Sequence, residues 1–72
     1  MEKYYNKFVV MLDNNDWHYQ KYGISENKIM RDMAELQKQI DLYYVFNLLT
    51  SEENQNLRLK MQEIVNKYFI YM

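Results

Sequence analysis

The fold is decided by residues 25–72, SENKIMRDMAELQKQIDLYYVFNLLTSEENQNLRLKMQEIVNKYFIYM. In each half of this stretch, apolar side chains recur at alternating spacings of four and three residues, which is the pattern of an amphipathic helix. The first seam consists of Ile29, Met33, Leu36, Ile40 and Tyr43. The second seam consists of Leu57, Met61, Ile64, Tyr68 and Tyr71. The spacing therefore predicts two helices, helix 2 over 25–49 and helix 3 over about 51–71.

Helix-starting signals precede both seams. Ser25 stands just before the first seam, where its side chain suits an N-cap. Thr50 and Glu53 form a capping box before the second, in which the hydroxyl and the carboxylate each satisfy a free backbone donor. Because the two helices follow each other almost directly, the chain has to fold back between them. The sequence therefore predicts a long antiparallel αα-hairpin in which the apolar seams face each other.

The N-terminal 22 residues allow two interpretations. Tyr5, Phe8, Val9 and Leu12 have helical spacing, which predicts helix 1 over about 3–13. The alternative is a β-hairpin within 7–22, with two short strands joined through the polar residues between them. A run of five consecutive apolar residues, FVVML, replaces the alternation of a half-buried strand, and a lone two-stranded hairpin is marginal in water. The helix is the favoured interpretation.

Length and composition predict one small domain, residues 1–72. The chain has no Cys, no Pro and a single Gly among its 72 residues, which is typical of a mostly helical protein without disulfides. The predicted fold class is all-α, a small three-helix domain whose helices 2 and 3 form the αα-hairpin. A turn with a tryptophan corner, over 13–24, is expected to join helix 1 to helix 2.

The predicted corner lies in the segment LDNNDWHYQKYG, residues 12–23, which holds the only Trp, His and Gly of the chain. Its short polar residues suit the end of a helix, and Asp16 is expected to cap the turn that follows. Trp17 is expected to seal the end of the bundle where Gly23 meets helix 3, with His18 at the surface. A calcium loop is not predicted, because Trp17 and His18 stand where an oxygen ligand and a glycine are required.

Charge and reactive residues argue against several classes of function. Nine Lys and Arg balance ten Asp and Glu, and no segment forms a basic stripe. The single His and the two Ser, both suited to helix caps, provide no nucleophile with a neighbouring base. We therefore predict no catalytic residue, no metal and no cofactor. No targeting signal or membrane span is recognisable, so we expect a cytoplasmic protein without a membrane partner.

The second half of helix 2 is more apolar than one buried face requires. Residues 40–49, IDLYYVFNLL, include eight apolar side chains in ten. A helix that is apolar all round is covered on several sides, either by a compact core or by a second copy or another protein. Asn47 continues the seam, and a polar seam residue can fix register and oligomeric state. The predicted partner surface consists of Leu42, Tyr44, Phe46, Asn47 and Leu49, with His18, Tyr19 and Tyr22 as a second region.

Helix 3 carries a polar face that allows a nucleic-acid function. Asn54, Arg58, Gln62 and Asn66 are the residue types that read DNA bases from a recognition helix. Glu52, Glu53 and Glu63 lie nearby, and positive charge is sparse. Nucleic acid is therefore an alternative partner but not the favoured one.

Around LDNNDWHYQ the chain resembles small proteins of phages and other mobile elements. In those proteins a short helix leads through a Leu-rich turn into Asp-Trp-aromatic-Tyr, followed by two further helices. The matching residues are Phe8, Leu12, Asp16, Trp17 and Tyr19, with His18 at the aromatic position. The resemblance covers about the first 20 residues, and Gln20-Lys21 replace the acidic residues that commonly follow. It implies a mobile-element origin and a helical fold.

Together these features favour a non-catalytic binding protein of phage or mobile-element origin. It is expected to act through protein–protein contacts as an inhibitor or modulator of a host or viral complex, as anti-CRISPR proteins and host-enzyme inhibitors do. The alternatives are a small helical DNA- or RNA-binding regulator and a structural homo-oligomer subunit. A protein partner is therefore expected, and the same surface could alternatively form a homodimer.

Overall fold

The computed structural model describes residues 2–69, with side chains from residue 3 onward. It contains three helices, α1 (Glu2–Tyr22), α2 (Glu26–Val45) and α3 (Ser51–Phe69), and no strand occurs within the described range. Ion pairs join Asp13 to Lys60 and Asp16 to Lys67, so α1 and α3 run in the same direction and α2 runs opposite to both. The predicted all-α, three-helix domain is confirmed.

The core forms where the seams of the αα-hairpin meet one side of α1. The backbones of α2 and α3 approach each other most extensively, and α1 packs mainly on α3. The buried hairpin residues are those of the predicted seams, namely Ile29, Met33, Leu36, Ile40, Leu57, Met61 and Ile64. Phe8, Leu12 and Tyr19 of α1 complete this core together with Leu49. The predicted seam residue Tyr71 lies outside the described residues.

Both predicted helix caps are formed. The Ser25 hydroxyl accepts a hydrogen bond from the backbone N–H of Lys28 at 3.3 Å. At the start of α3 the Thr50 hydroxyl accepts from the Glu53 N–H at 3.0 Å, and the Glu53 carboxylate accepts from the Thr50 N–H at 2.9 Å. These reciprocal bonds are those of a capping box, and they set the start of α3 where the sequence predicts it.

Helix α1 does not end near residue 13 but continues to Tyr22. The predicted corner over 13–24 and the alternative β-hairpin over 7–22 are therefore both wrong. Tyr19 follows Leu12 by seven residues, so a continuous helix returns it to the buried side, where it is only 3% exposed. This packing outweighs the weak helix propensity of the Asp and Asn residues between them. The helix stops at Gly23, whose φ is +60°.

Helix α2 ends at Val45, four residues before the predicted end. Asn47 adopts a left-handed conformation with φ +64°. Its N–H donates to the carbonyl of Tyr44 at 3.0 Å, and the N–H of Leu48 donates to the carbonyl of Tyr43 at 2.8 Å, which is a Schellman motif. The interpretation of Asn47 as a polar residue of the helix seam is therefore wrong, because Asn47 turns the chain instead.

Replacing Asn47 with alanine is expected to lower the free energy of unfolding by about 1 kcal/mol, because an L side chain without a local polar contact is disfavoured in the left-handed region. Asn47→Gly is expected to be at least as stable as the wild type, since glycine adopts this conformation freely. Urea unfolding followed by circular dichroism measures both. An alanine variant as stable as the glycine variant would contradict the turn.

Candidate functional site

A concentration of exposed apolar side chains lies where α2 ends. Val45 and Phe46 follow Leu42 by three and four residues, so the three side chains share one side of the helix end. Val45 and Phe46 are each 68% exposed. Tyr44, which points to another side of the helix, and Leu48, which follows the helix end, are also exposed. We call these five residues, Leu42, Tyr44, Val45, Phe46 and Leu48, the α2-end patch.

The α2-end patch is exposed because α1 covers a different side of α2 at this level. The ring of Tyr43 receives Tyr4 and Phe8 edge-on, with centroid distances of 5.3 and 5.0 Å. The Lys7 ammonium also donates to the Tyr43 hydroxyl at 3.3 Å. The first turns of α1 therefore pack against Tyr43 and not against the α2-end patch. Single exposed apolar residues are ordinary on protein surfaces, whereas several within two turns of chain are not.

Most of the surface predicted at this end is exposed. The exposed members are Leu42, Tyr44, Phe46 and Asn47. Leu49 is 3% exposed, so its expected place at the surface is wrong, because the turn at Asn47 returns it to the core. Val45 and Leu48 belong to the patch without having been predicted. The spacing from Leu42 points to Val45 and the spacing from Tyr44 points to Leu48, but the exposure of Leu48 depends on the turn at Asn47.

The second predicted surface, on α1, is only partly as expected. His18 and Tyr22 are exposed, but Tyr19 is buried, so its predicted exposure is wrong. Trp17 is 53% exposed, and its predicted role as a plug is also wrong. Two residues apart in a helix, Trp17 and Tyr19 point about 200° away from each other. Only one of them can face the core, and Tyr19 occupies that position.

Trp17, His18, Lys21 and Tyr22 form an exposed group that we call the α1 aromatic cluster. The ring centroid of His18 lies 5.2 Å from that of Trp17 and 5.6 Å from that of Tyr22. The Lys21 ammonium lies 4.7 Å from the centroid of Trp17 and 5.6 Å from that of Tyr22, within cation–π range. The cluster therefore presents aromatic rings beside a positive charge.

Beneath this cluster, two tyrosines connect all three helices. The Tyr19 hydroxyl donates to Asp32 of α2 at 2.8 Å, and the Tyr68 hydroxyl of α3 donates to the carboxylate of Asp16. The two tyrosine rings meet edge-on with centroids 5.6 Å apart. Lys67 adds an ion pair to the same Asp16 carboxylate at 3.1 Å. The C-terminal half of α1 is thereby tied to both other helices.

Burial and hydrogen bonding shift the acidity of this network. Burial, followed by donation to Asp16, raises the pKa of Tyr68 to about 12, and burial raises the pKa of Tyr19 further. Burial also raises the pKa of Asp16, but the hydrogen bonds from Tyr68 and Lys67 and nearby lysine charges outweigh it. The net pKa of Asp16 lies below the ordinary value of 3.8. The phenols are neutral and Asp16 is ionised at pH 7, which suits a structural role.

A groove of about 350 Å³ runs between α1 and α2. Its lining combines Met11 and Leu36 with the polar residues Asn14, Asn15, Lys28, Asp32, Glu35 and Gln39. The groove is open to solvent, so it does not provide the desolvation with which enzymes shift the acidity of a carboxylate pair. Within residues 2–69, no three His, Asp or Glu side chains converge as a metal ion requires.

The polar face predicted on α3 is largely engaged in contacts within the protein. Arg58 donates to the Asp41 carboxylate at 2.8 Å, and Gln62 donates to Asn66 at 2.9 Å. Leu59, which is 57% exposed, interrupts the face with an apolar side chain. Base reading by these residues would require Arg58 to leave Asp41, so this face provides little free positive charge.

Comparisons with protein-family models, with curated proteins and with solved structures find no match to this chain. None of the helices within residues 2–69 has the length and hydropathy needed to cross a bilayer. Two exposed surfaces of the described residues are candidates for binding, namely the α2-end patch and the α1 aromatic cluster.

Proposed function

We propose that this chain is a non-catalytic binding protein that acts through protein–protein contacts as an inhibitor or modulator of a larger complex. The observation that carries the proposal is the α2-end patch, in which five large apolar side chains are exposed within seven residues. Leu42, Val45 and Phe46 share one side of the helix end, and exposed apolar surface that includes an aromatic residue is typical of interaction sites. The mobile-element origin implied by the resemblance and the expected host or viral target stay predictions.

The α2-end patch can supply useful binding free energy. Complete burial of a Leu, Val or Phe side chain contributes about 1.5–3 kcal/mol. Leu42, Val45 and Phe46 are each half or more exposed, so covering their exposed parts contributes about 3–6 kcal/mol in total. The Schellman turn and the capping box hold the ends of α2 and α3 in place before binding, which lowers the entropy cost of ordering the patch.

Replacing Leu42 and Phe46 together with serine is expected to abolish partner capture without unfolding the protein. Immobilised wild type and variant are incubated with the same cell lysate, and the retained proteins are quantified. Leu59→Ser is the matched control, because Leu59 is 57% exposed but lies on the outer side of α3. We expect proteins retained by the wild type and the Leu59 variant to fall at least about tenfold with the double variant.

Light scattering over a range of protein concentrations distinguishes a patch that binds a second copy of the chain from one that binds another protein. A wild-type mass that rises with concentration, together with a monomeric double variant, would identify the partner as a second copy. The proposal is contradicted if the wild type stays monomeric and all three proteins retain the same lysate components. Urea unfolding checks the fold, since surface substitutions change stability by only about 0.5 kcal/mol.

A further inference from the structure

The charged side chains of α1 are separated onto two sides of the helix. Between residues 3 and 22 they are Lys3, Lys7, Asp13, Asp16 and Lys21. The two carboxylates face α3, where Asp13 binds Lys60 at 2.9 Å and Asp16 binds Lys67 at 3.1 Å. Lys7 and Lys21 instead lie above aromatic rings on other sides of α1.

The lysines share a side of α1 with the exposed aromatic residues. Positions 3, 10 and 17 and positions 7, 14 and 21 repeat every seven residues, so they form two neighbouring lines along the helix. We call the six residues Lys3, Lys7, Trp17, His18, Lys21 and Tyr22 the α1 face; all six are exposed. With a rise of 1.5 Å per residue, the face extends over about 28 Å.

We propose that the α1 face binds single-stranded nucleic acid. Exposed aromatic rings accept stacked bases, and lysines placed along the same line meet the phosphates. Trp17 and Tyr22 provide the rings, and Lys21 lies between them. A positively charged face without a carboxylate among its own residues fits a polyanion. The surface is distinct from the α2-end patch, and the inference does not depend on the proposed function above.

A strand fits this face better than a membrane surface or a duplex. A helix that lies in a lipid interface inserts its apolar side, but the apolar side of α1, with Phe8 and Leu12, is fully buried in the bundle. In a duplex the bases are already stacked on each other and are closed to Trp17 and Tyr22. A single strand exposes both the base faces and the phosphates to the same side of its partner.

Acidic groups near the α1 face lie on α1 and on α2. Asp13 of α1 stands four residues before Trp17, but its carboxylate is paired with Lys60 at 2.9 Å. Asp32 is held by Tyr19 at 2.8 Å and by Lys28 at 3.0 Å, which offsets its charge. Glu35 lines the groove between α1 and α2. This carboxylate disfavours entry of a phosphate chain into the groove, so we expect the strand to follow the outer side of α1.

The test uses Trp17 as its own reporter, because it is the only tryptophan of the chain. Oligothymidylate of about 15 nucleotides is added to the intact protein at about 50 mM salt, and tryptophan emission and anisotropy of a labelled strand are recorded. We expect saturable quenching of Trp17 that coincides with the anisotropy change. Engagement of three lysines predicts that log affinity falls with log salt with a slope of about −2.

Variants locate the site. Trp17→Ala is expected to weaken binding about tenfold, as loss of one stacked base does, and Lys21→Gln to weaken it and make the salt slope shallower. Lys38→Gln is the matched control, because Lys38 is also exposed but lies on α2. We expect its affinity to stay within about twofold of the wild type. Circular dichroism verifies that each variant is folded.

Several outcomes would overturn the inference. One is an absence of quenching and of anisotropy change at low salt. Another is equal weakening by Lys21→Gln and Lys38→Gln, which would indicate nonspecific electrostatic attraction of the oligonucleotide and no defined binding site. A third is equally strong competition by polyglutamate, which carries charge but no bases. Sedimentation with phosphatidylserine vesicles in the absence of oligonucleotide binding would assign the face to a membrane instead.

Discussion

Truncation of Phe8 to alanine is expected to unfold most of the protein at 25 °C. Phe8 is fully buried, and its ring meets Tyr43 edge-on at 5.0 Å, so it joins α1 to the αα-hairpin. Phe→Ala substitutions at buried sites cost about 3–5 kcal/mol, because they remove apolar contact and leave a cavity. A single core of this size supplies about the same amount in total. One substitution therefore removes most of the available stability.

Circular dichroism at 222 nm and urea unfolding measure the Phe8 effect. Leu59→Ala is the control, since Leu59 is a large apolar residue outside the core, and its loss is expected to change the free energy of unfolding by less than about 0.5 kcal/mol. Phe8→Leu should fall between the two, because it keeps most of the apolar volume. Cooperative unfolding of the alanine variant within about 1 kcal/mol of the wild type would show that α1 does not dock through Phe8.

Replacing Asp16 with asparagine is expected to lower the free energy of unfolding by about 2 kcal/mol at pH 7. The Asp16 carboxylate accepts hydrogen bonds from Tyr68 and Lys67 and joins α1 to the end of α3. Hydrogen bonds to a charged group contribute about 1.5–3 kcal/mol each when they are shielded from water, and Asp16 is only partly exposed. The asparagine keeps the volume and one acceptor oxygen but loses the charge.

The Asp16 effect is also expected to depend on pH. Burial raises the pKa of Asp16, but its hydrogen bonds from Tyr68 and Lys67 lower it more, so the folded-state value lies below the ordinary 3.8. The folded state therefore binds fewer protons than the unfolded state, and stability increases with pH in this range. The contribution is complete above about pH 5 and is lost as the pH falls through the folded-state pKa.

Urea unfolding between about pH 6 and pH 2 tests this dependence. The stability of the wild type is expected to fall more steeply below about pH 4 than that of Asp16→Asn. Asp41→Asn is the control, because Asp41 also binds a cation, Arg58 at 2.8 Å, but both side chains are about half exposed. An exposed pair contributes less than about 1 kcal/mol. Equal acid sensitivity of Asp16→Asn and wild type would contradict the role of Asp16.

The αα-hairpin could be predicted because its signals are local. The repeat of apolar residues in 29–43 and 57–64 determines which sides of α2 and α3 are buried. Ser25, Thr50 and Glu53 identify the helix starts through hydrogen bonds to backbone groups within three residues. Such features depend on near neighbours in the chain, so they are readable from order and spacing alone.

The path of α1 could not be predicted in the same way. The polar run between Leu12 and Trp17 has weak helix propensity and looks like a turn. In the folded protein, Asp13 and Asp16 bind Lys60 and Lys67, which are about 50 residues away in the chain. These long-range contacts and the burial of Tyr19 keep the segment helical. Neither is visible from residues 12–23 alone.

The candidate surfaces also depend partly on local sequence and partly on the tertiary structure. The excess of apolar residues in 40–49 allowed either a compact core or a partner surface, and the structure leaves Leu42, Tyr44 and Phe46 exposed. Which of their neighbours join them depends on the left-handed turn at Asn47, which exposes Leu48 and buries Leu49. On α1 the choice between Trp17 and Tyr19 for the core depends on the side that faces α2 and α3.

By itself the sequence determined an all-α chain with an αα-hairpin, its two N-caps and an excess of apolar surface near the end of α2. It did so because helix periodicity and capping act over a few residues. The tertiary structure decided where α1 and α2 end, that Tyr19 and not Trp17 is buried, and that Asp13 and Asp16 pair with lysines of α3. Those choices depend on packing and ion pairs between residues distant in the chain, and they place the α2-end patch and the α1 face on the surface.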